Sequence, residues 1–595
     1  MAGRTALFSA RYAVRQQYVR RSQVLAGVLA FFAFVVIVQL TRIQNSPEAA
    51  IFRQQAENYA YEWKTFYPNR GEIYDRNGRL LAGQKTVYEI GVDLNTVTDP
   101  HAIAFAVGNT LGMDYNQIMN VIQNPPEGIT YIVIADFVEA QDALYLQELK
   151  KALNDQAPEG ALGGLTGLQF KPHPQRSYPE NDLGANVLGF VNREGRGYFG
   201  VEEKYNDLLA GNPVQVLVPT DPNKAFEIPR VPDGTTLILT INRDLQAAAE
   251  DILDTALGEY GAVEGVIAIM NPQNGELLAL ATSRRMDLNQ FWNYNVVYPN
   301  ATDFNPVISK TYEPGSVIKI LTMAAALDSS TVTPNTTYLD TGAILIGGVT
   351  IQNWDRNPWG VQNMVGCLQH SLNVCMVNLA SQMGANTFYG YMDAFGLGHL
   401  TGVDLAGEAA GRLKVPGDSD WYPVDLGTNA FGQGVAVTPI QMMAAASAVA
   451  NDGRMVIPHV LYAMVREGRQ YNVPAQFGGS PISAQTADIL TEMLAISLES
   501  ESSLALVPGY RIAGKTGTAQ IPVNGLYDTS ETNASFLGWG PADDPQFMIY
   551  VWLEKPTTSP WGSETAAPVF SEMAKKTVIL LDIPPDSIRQ RLASQ

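Results

Sequence analysis

Cysteine is almost missing from this sequence. Two residues, Cys367 and Cys375, serve a chain of 595, so disulfides are not what holds the fold together. Eight positions apart, they read as small core residues, with a bond between them left open. Histidine is nearly as scarce. Five are scattered with no HxxxH pairing, and no CxxC stands beside them, which argues against a metal site. Neither a metal nor a cofactor is expected.

Charge is also thin, at 16% of residues against 46% hydrophobic, the balance of a folded chain and not a disordered one. Acidic residues are absent from the first 22 positions, which hold Arg4, Arg11, Arg15, Arg20 and Arg21. The net charge of −20 therefore leaves −25 on the remainder. Such an acidic body argues against nucleic acid as a partner and against a basic, membrane-hugging surface. From 24 to 40, VLAGVLAFFAFVVIVQL, charge vanishes altogether. With Gln23 and Thr41 this run approaches the ~20 residues that cross a bilayer as a helix. The arginine excess before it keeps the N-terminus inside and sends the rest across. A cleaved signal peptide is disfavoured, because the run is long and no A-x-A site follows. The reading is a cytoplasmic tail over 1–22, a single-pass membrane helix over 23–41, and a body outside the cytoplasmic membrane.

That body is long enough for two domains. After the anchor, a mixed, turn-rich stretch runs to about 232, and within it RGEIYDRNGRLLAG (70–83) predicts a hairpin around an Asp-Arg-Asn-Gly turn. VPDGTTLILTINRDLQAAAEDILDTAL (231–257) marks a boundary: a Pro-Asp-Gly turn, an apolar strand, then a helix. VEGVIAIMNPQNGELLALAT (263–282) predicts a second hairpin, TPIQMMAAASAVAN (438–451) a helix, and SFLGWG and FMIYVWLE late strands. The fold class is α+β, with an antiparallel sheet flanked by helices after residue 232. GRGYFG (195–200) spells GxGxxG. Without a convincing βαβ unit and a ribose-binding acid it reads as a Gly-rich connection, not a dinucleotide site.

TYEPGSVIKILTMAAAL (311–327) holds the chemistry. It predicts a helix opening on Ser316, yet Lys319 stands in its first turn between Ile318 and Ile320, and lysine is seldom buried without a partner or a task. Residues i and i+3 share a helix face, so hydroxyl and amine come within hydrogen-bonding reach. A desolvated lysine is a base that can activate serine. The serine's own N–H, at the helix start, suits a developing oxyanion. Of fourteen lysines, Lys319 alone has a serine three positions before it. The chain also holds one S-x-N, at Ser371 and Asn373, and one K-T-G, at Lys515, Thr516 and Gly517, followed by Thr518. In that order within one domain, the three motifs form the set of penicilloyl serine transferases.

With RGEIYDRNGRLLA, RSYPENDLGANVLGFV, GVEEKYNDLLAG, LTINRDLQ, NPQNGELLALAT and GQGVAVTPIQMMAAASAVANDG, the chain resembles the class B penicillin-binding proteins over about 60–580. The resemblance implies a pedestal (dimerisation-type) domain over 42–232, a transpeptidase domain over 233–580 and a C-terminal tail over 581–595. It implies that Ser316 attacks the penultimate D-Ala of a stem peptide, with Lys319 as base and Ser371 relaying protons. Asn373 would hold the donor amide and orient Lys319, and Lys515 would support the polar network. Thr516, Gly517 and Thr518 would form the substrate-binding strand, and the N–H groups of Ser316 and Thr518 the oxyanion hole. Implied partners are peptidoglycan stem peptides, β-lactams as inhibitors and a SEDS-family glycosyltransferase. Departures are Asn242 and Asn271, where the family often has Asp, and Leu372, whose bulk inside S-x-N is expected to shape the cleft. Alternatives of the same fold are a D,D-carboxypeptidase, a β-lactam sensor or a β-lactamase-like protein. The pedestal disfavours the last two.

Overall fold

The computed structural model describes residues 3–52, 61–157, 163–220, 231–299, 302–501, 503–523 and 526–593. Residues 221–230, before the expected boundary, and the last two of the expected tail lie outside them. The chain divides into two compact units, Met1–Pro68 with Asn212–Pro232, and Asn69–Gly211 with Asp233–Gln595.

In the first unit, helix α1 spans Gly3–Gln44. Its stretch Tyr18–Gln44 is apolar and long enough to cross a membrane, the one such helix among the described residues, with residues such as Leu29, Phe32 and Ile37 exposed. The helix overruns 23–41 at both ends because no proline interrupts the chain before Pro47. An antiparallel ribbon of Tyr61–Phe66 and Val214–Pro219 completes the unit.

The second unit opens with β1 (Ile73–Tyr74) and β2 (Leu80–Asp93), the hairpin expected at 70–83. Asp75 closes its turn, Oδ1 accepting from the N–H groups of Asn77 and Arg79 at 2.9 and 2.8 Å. Then come α2 (Pro100–Leu111), α3 (Tyr115–Gln123), β3 (Tyr131–Glu139), α4 (Ala140–Gln156) and β4 (Leu168–Ser177), around a core that includes Ile90, Ile103, Val107 and Leu146. β5 (Thr236–Leu239) leads to α5 (Arg243–Tyr260), capped by Asn242, whose Oδ1 accepts from the N–H groups of Asp244 and Leu245. The hairpin β6 (Glu264–Met270) and β7 (Leu277–Thr282) follows; Asn271 Oδ1 accepts from Gln273 N in its turn. Helices α6 (Lys319–Asp328), α7 (Met364–Gln369), α8 (Asn373–Met383) and α9 (Pro439–Ala450) come next. Thr438 and Gln441 form a reciprocal capping box at the start of α9, and all twelve of its residues are buried. The chain ends with β8 (Leu461–Arg466), β9 (Arg469–Asn472), α10 (Ala484–Ser500), β10 (Ala513–Val523), β11 (Leu526–Gly540), β12 (Phe547–Glu554) and α11 (Ala566–Leu580), followed by one short helix.

Two sheets organise this unit. An antiparallel five-stranded sheet runs β7-β6-β12-β11-β10. Its alternate side chains enter opposite cores. Ile267, Ile549, Val551 and Phe536 pack with Leu253 and Phe570 of α5 and α11, while Val266, Tyr550 and Trp552 join the core of α6 and α9. A seven-stranded sheet runs β9-β8-β5-β1-β2-β3 with β4 paired to β2, so it continues across residue 232 through the parallel pairing of β1 with β5. GRGYFG is a packing device: a Cβ on Gly197 would stand 2.0 Å from the carbonyl oxygen of Glu202. Glu202 itself is fully buried between Arg70 (2.6 Å) and Arg176 (2.6 Å).

Candidate active site

Ser316 lies not in an α-helix but in a 3₁₀ turn, Gly315–Ile318, that feeds into α6 at Lys319. Three glycines force this geometry. Gly315 has φ +56°, and a Cβ there would meet the Thr518 carbonyl oxygen at 2.7 Å. A Cβ on Gly517 would meet Val317 Cγ2 at 2.6 Å and Ser535 Oγ at 2.2 Å, and one on Gly432 would meet the Gly315 carbonyl oxygen at 2.2 Å. The serine turn is thus pressed against strand β10 on one side and the Gly432 loop on the other, with Gly315 N donating to Gly432 O at 3.1 Å.

Lys319 is fully buried. Its Nζ donates to Ser371 O at 2.6 Å, Ser371 Oγ at 3.1 Å and Asn373 Oδ1 at 2.8 Å. It does not bond Ser316 directly, as the i, i+3 spacing leads one to expect. The Ser371 hydroxyl stands between them, 3.0 Å from Ser316 Oγ. In the tighter 3₁₀ turn the lysine side chain leaves along α6 toward the S-x-N segment. Burial, and then the cation of Lys515, hold the Lys319 amine well below the usual lysine range.

Ser371 joins α7 to α8 with φ +52°, a left-handed conformation unusual for a residue with a side chain. Asn373 begins α8, and its Nδ2 donates to Gln352 O at 3.2 Å. Leu372 between them does not line the cleft: it is wholly buried in the helical core, so its bulk is absorbed there. The two cysteines are core residues as expected, both fully buried, and they are bonded to each other across this turn.

Lys515, Thr516, Gly517 and Thr518 lie on β10, the outer strand of the five-stranded sheet. Lys515 is buried, its Nζ donating to Thr516 Oγ1 at 3.1 Å. Burial brings its ammonium down to about 8, opposed by the carboxylate of Glu501. Gly562 N donates to Thr518 Oγ1 at 3.0 Å.

A cleft of about 490 Å³ opens over these groups, within the size range of small-molecule sites. Ser316, Ser371, Asn373, Thr516 and Thr518 line it; Lys319, Lys515 and Gly517 stand behind that lining. Sequence reasoning missed the rest of the wall. Trp354 and Trp561 meet edge to face at 5.4 Å, Trp359 stacks on His370 at 4.0 Å, and His370 Nδ1 is 4.0 Å from Glu501. Burial pushes the His370 imidazole below its usual range. Adjacency to Ser371 is the one signal that would have found His370. The others carry none. Among the described residues, no cluster of His, Cys, Asp or Glu could hold a metal ion.

The penicillin binding protein transpeptidase domain matches residues 265–575, and the penicillin-binding protein dimerisation domain matches residues 65–226. Stage V sporulation protein D of Bacillus subtilis is 32% identical over 87% of this chain and 79% of its own length. Peptidoglycan D,D-transpeptidase FtsI of Escherichia coli is 28% identical over 87% of this chain and 85% of its own. Among solved structures, penicillin-binding protein 3 of Mycobacterium tuberculosis, complexed with aztreonam, superposes with a TM-score of 0.66 at 25% identity, covering 88% of this chain and 98% of that one. Penicillin-binding protein 2X of Streptococcus thermophilus shares the fold, with a TM-score of 0.71 at 23% identity, over 87% of this chain and 80% of that one. A fold with two such domains, and a serine, a buried lysine and a K-T-G strand around one cleft, define a serine acyl transferase. The chain belongs to the penicillin-binding proteins, in the class B group that joins a dimerisation domain to a transpeptidase domain. Its function is that of the group, peptidoglycan D,D-transpeptidase in cell-wall synthesis.

Proposed function

We propose that Ser316 is the nucleophile and that its proton reaches Lys319 through the hydroxyl of Ser371. The observation that carries this reading is the unbroken path Ser316 Oγ, Ser371 Oγ, Lys319 Nζ, with steps of 3.0 and 3.1 Å. Burial and the Lys515 cation favour the neutral amine. Its two N–H groups stay on Ser371 O and Asn373 Oδ1, while its lone pair accepts the proton from Ser371 Oγ as Ser316 Oγ attacks the carbonyl of the penultimate D-Ala. The N–H groups of Ser316 and Thr518 hold the oxyanion; each such donor contributes about 10²–10³ in rate. Thr516 and Thr518 bind the terminal carboxylate, with the Lys515 cation behind them donating to Thr516 Oγ1, and Asn373 holds the donor amide while fixing Lys319. The C–N bond to the last D-Ala breaks, and Ser371 delivers the lysine's proton to the departing amine. The ester on Ser316 then waits for the side-chain amine of a second stem peptide. That amine loses its proton back along the same path, and the crosslink forms.

The same reading places the N-terminus inside, on the strength of the five arginines before the membrane helix, and the cleft outside. By family resemblance, the anchor and pedestal engage a SEDS-family glycosyltransferase.

A fluorescent penicillin should label the protein once per chain, at Ser316, and the penicilloyl ester should persist for minutes. Undiminished labelling of a folded Ser316→Ala protein would remove the assignment. Hydrolysis of the drug within seconds, by mass-spectrometric time course, would replace the transpeptidase by a β-lactamase. Release of free D-Ala with no crosslinked product, given donor and acceptor peptides, would favour a carboxypeptidase.

A further inference from the structure

The S-x-N turn carries two jobs at once. Its Ser371 offers both the hydroxyl and the carbonyl oxygen to Lys319, at 3.1 and 2.6 Å, and sets the same hydroxyl 3.0 Å from Ser316. Yet this residue holds a left-handed backbone, φ +52°, which a serine keeps only when its surroundings over-determine it. Three backbone bonds fix the turn: Ser371 N donates to Leu368 O, Leu372 N to Cys367 O, and Met376 N to Leu372 O. The first two run back into α7, a helix of six residues; the third, at 3.4 Å, reaches α8, from which Asn373 projects, so no single one of them spans both helices.

One covalent link spans the turn from α7 to α8. Cys367 in α7 and Cys375 in α8 are bonded, with Cα atoms 6.1 Å apart, and the loop they close contains Ser371 and Asn373. Both cysteines are fully buried. They are the only cysteines in 595 residues. A domain with so large a core needs no staple to fold; disulfides as a framework belong to small, core-poor domains. The position of this bond, around the one turn where both members of S-x-N must be held, speaks for placement.

We propose that Cys367 and Cys375 are positioning residues for acylation: their bond locks α7 to α8 so that the Ser371 hydroxyl stays between Ser316 and Lys319. The inference rests on the relay under Proposed function. A relay tolerates misplacement of only about half an ångström. Without the bond the turn relaxes from its left-handed state, and the hydroxyl leaves the proton path while the cleft wall stays in place. Neither cysteine touches substrate.

The test uses the full chain in detergent and a chromogenic β-lactam, which separates the binding constant of the first, non-covalent complex from the rate of acylation. Cys367→Ala/Cys375→Ala is compared with Cys367→Ala/Cys375→Val, which restores volume, and with wild type reduced by a phosphine and then re-oxidised. The expected result is a fall of tenfold or more in the acylation rate of both variants and of the reduced protein. Non-covalent binding and the folded fraction stay within twofold, and re-oxidation restores the rate. An acylation rate within twofold of wild type in a folded variant overturns the proposal. So does a loss that follows the folded fraction alone. Failure of wild type to acylate at Ser316 would strike the relay itself, and so is distinguishable from failure of the disulfide's role.

Discussion

Ser371→Ala is the sharpest test of the site, because it separates a relayed proton from a direct one. The substitution deletes one oxygen. That oxygen lies 3.0 Å from Ser316 Oγ and 3.1 Å from Lys319 Nζ, and these two groups share no other hydrogen bond. The Ser371 carbonyl and Asn373 Oδ1 still hold the lysine, at 2.6 and 2.8 Å, so the base stays in place and only the path is cut. General acid–base transfer contributes about 10²–10⁴. With the base retained and room for a water where the hydroxyl was, the loss should fall at about 10²–10³, equivalent to about 2.7–4 kcal/mol in the barrier at 1.36 kcal/mol per decade. Stopped-flow acylation by a β-lactam, checked by intact mass, reads it; the non-covalent binding constant should hardly move. Asn373→Ala, which removes one contact to a buried amine and leaves the path intact, should lose about tenfold, from the 1–3 kcal/mol of an unmet buried donor. If folded Ser371→Ala acylates within tenfold of wild type, Lys319 acts on Ser316 directly and the bridging hydroxyl is incidental.

The pH profile should have two limbs. Acylation falls with acid as Lys319 takes up a proton. With carboxylate-bearing substrates it also falls as pH rises through about 8 and Lys515 loses its charge; because Glu501 raises the Lys515 value, Glu501→Gln should move this alkaline limb to lower pH. Glu202→Gln should destabilise the second unit by about 3–5 kcal/mol in denaturant titrations, the range for breaking a buried ion pair, since Arg70 and Arg176 would both face a neutral amide. Gly517→Ala should keep the fold but lower acylation by tenfold or more, because its methyl displaces Val317 and with it the Ser316 turn. Unchanged kinetics would show that the turn yields without consequence.

Local chemistry was what the sequence made legible. The hairpin closed by Asp75, the helix capped by Thr438 and Gln441, and the uncharged membrane helix each follow from residues within a few positions of one another. The S-x-x-K, S-x-N and K-T-G residues were visible as a set because the residue types are rare in that order, and the structure brings them to one cleft. What escaped depends on distance. Nothing local tells Ile73 and Tyr74 that they will pair with Leu237 and Ile238, so the sheet crossing residue 232 was invisible. The Ser316 turn was read as α because composition cannot reveal that Thr518 and Gly432 press on Gly315. Leu372 was expected in the cleft because its neighbours are there, yet the turn sends it into the core. Isolated tryptophans and a glutamate beyond the end of a helix look like ordinary surface until the fold places them on one wall.

The close packing of Gly315 against Gly432 and Thr518, and of Gly517 against Val317 and Ser535, bears on how such a protein evolves under an antibiotic. At each of the three positions the smallest possible side chain already collides with backbone or a neighbouring side chain, so a lineage selected for escape from a β-lactam finds no single step there that spares Ser316. The exposed tryptophans Trp354 and Trp561 are under no such constraint. Adaptive change that excludes a drug while still admitting a peptide is therefore channelled to the rim of the cleft, and substitutions should accumulate there while the floor stays fixed.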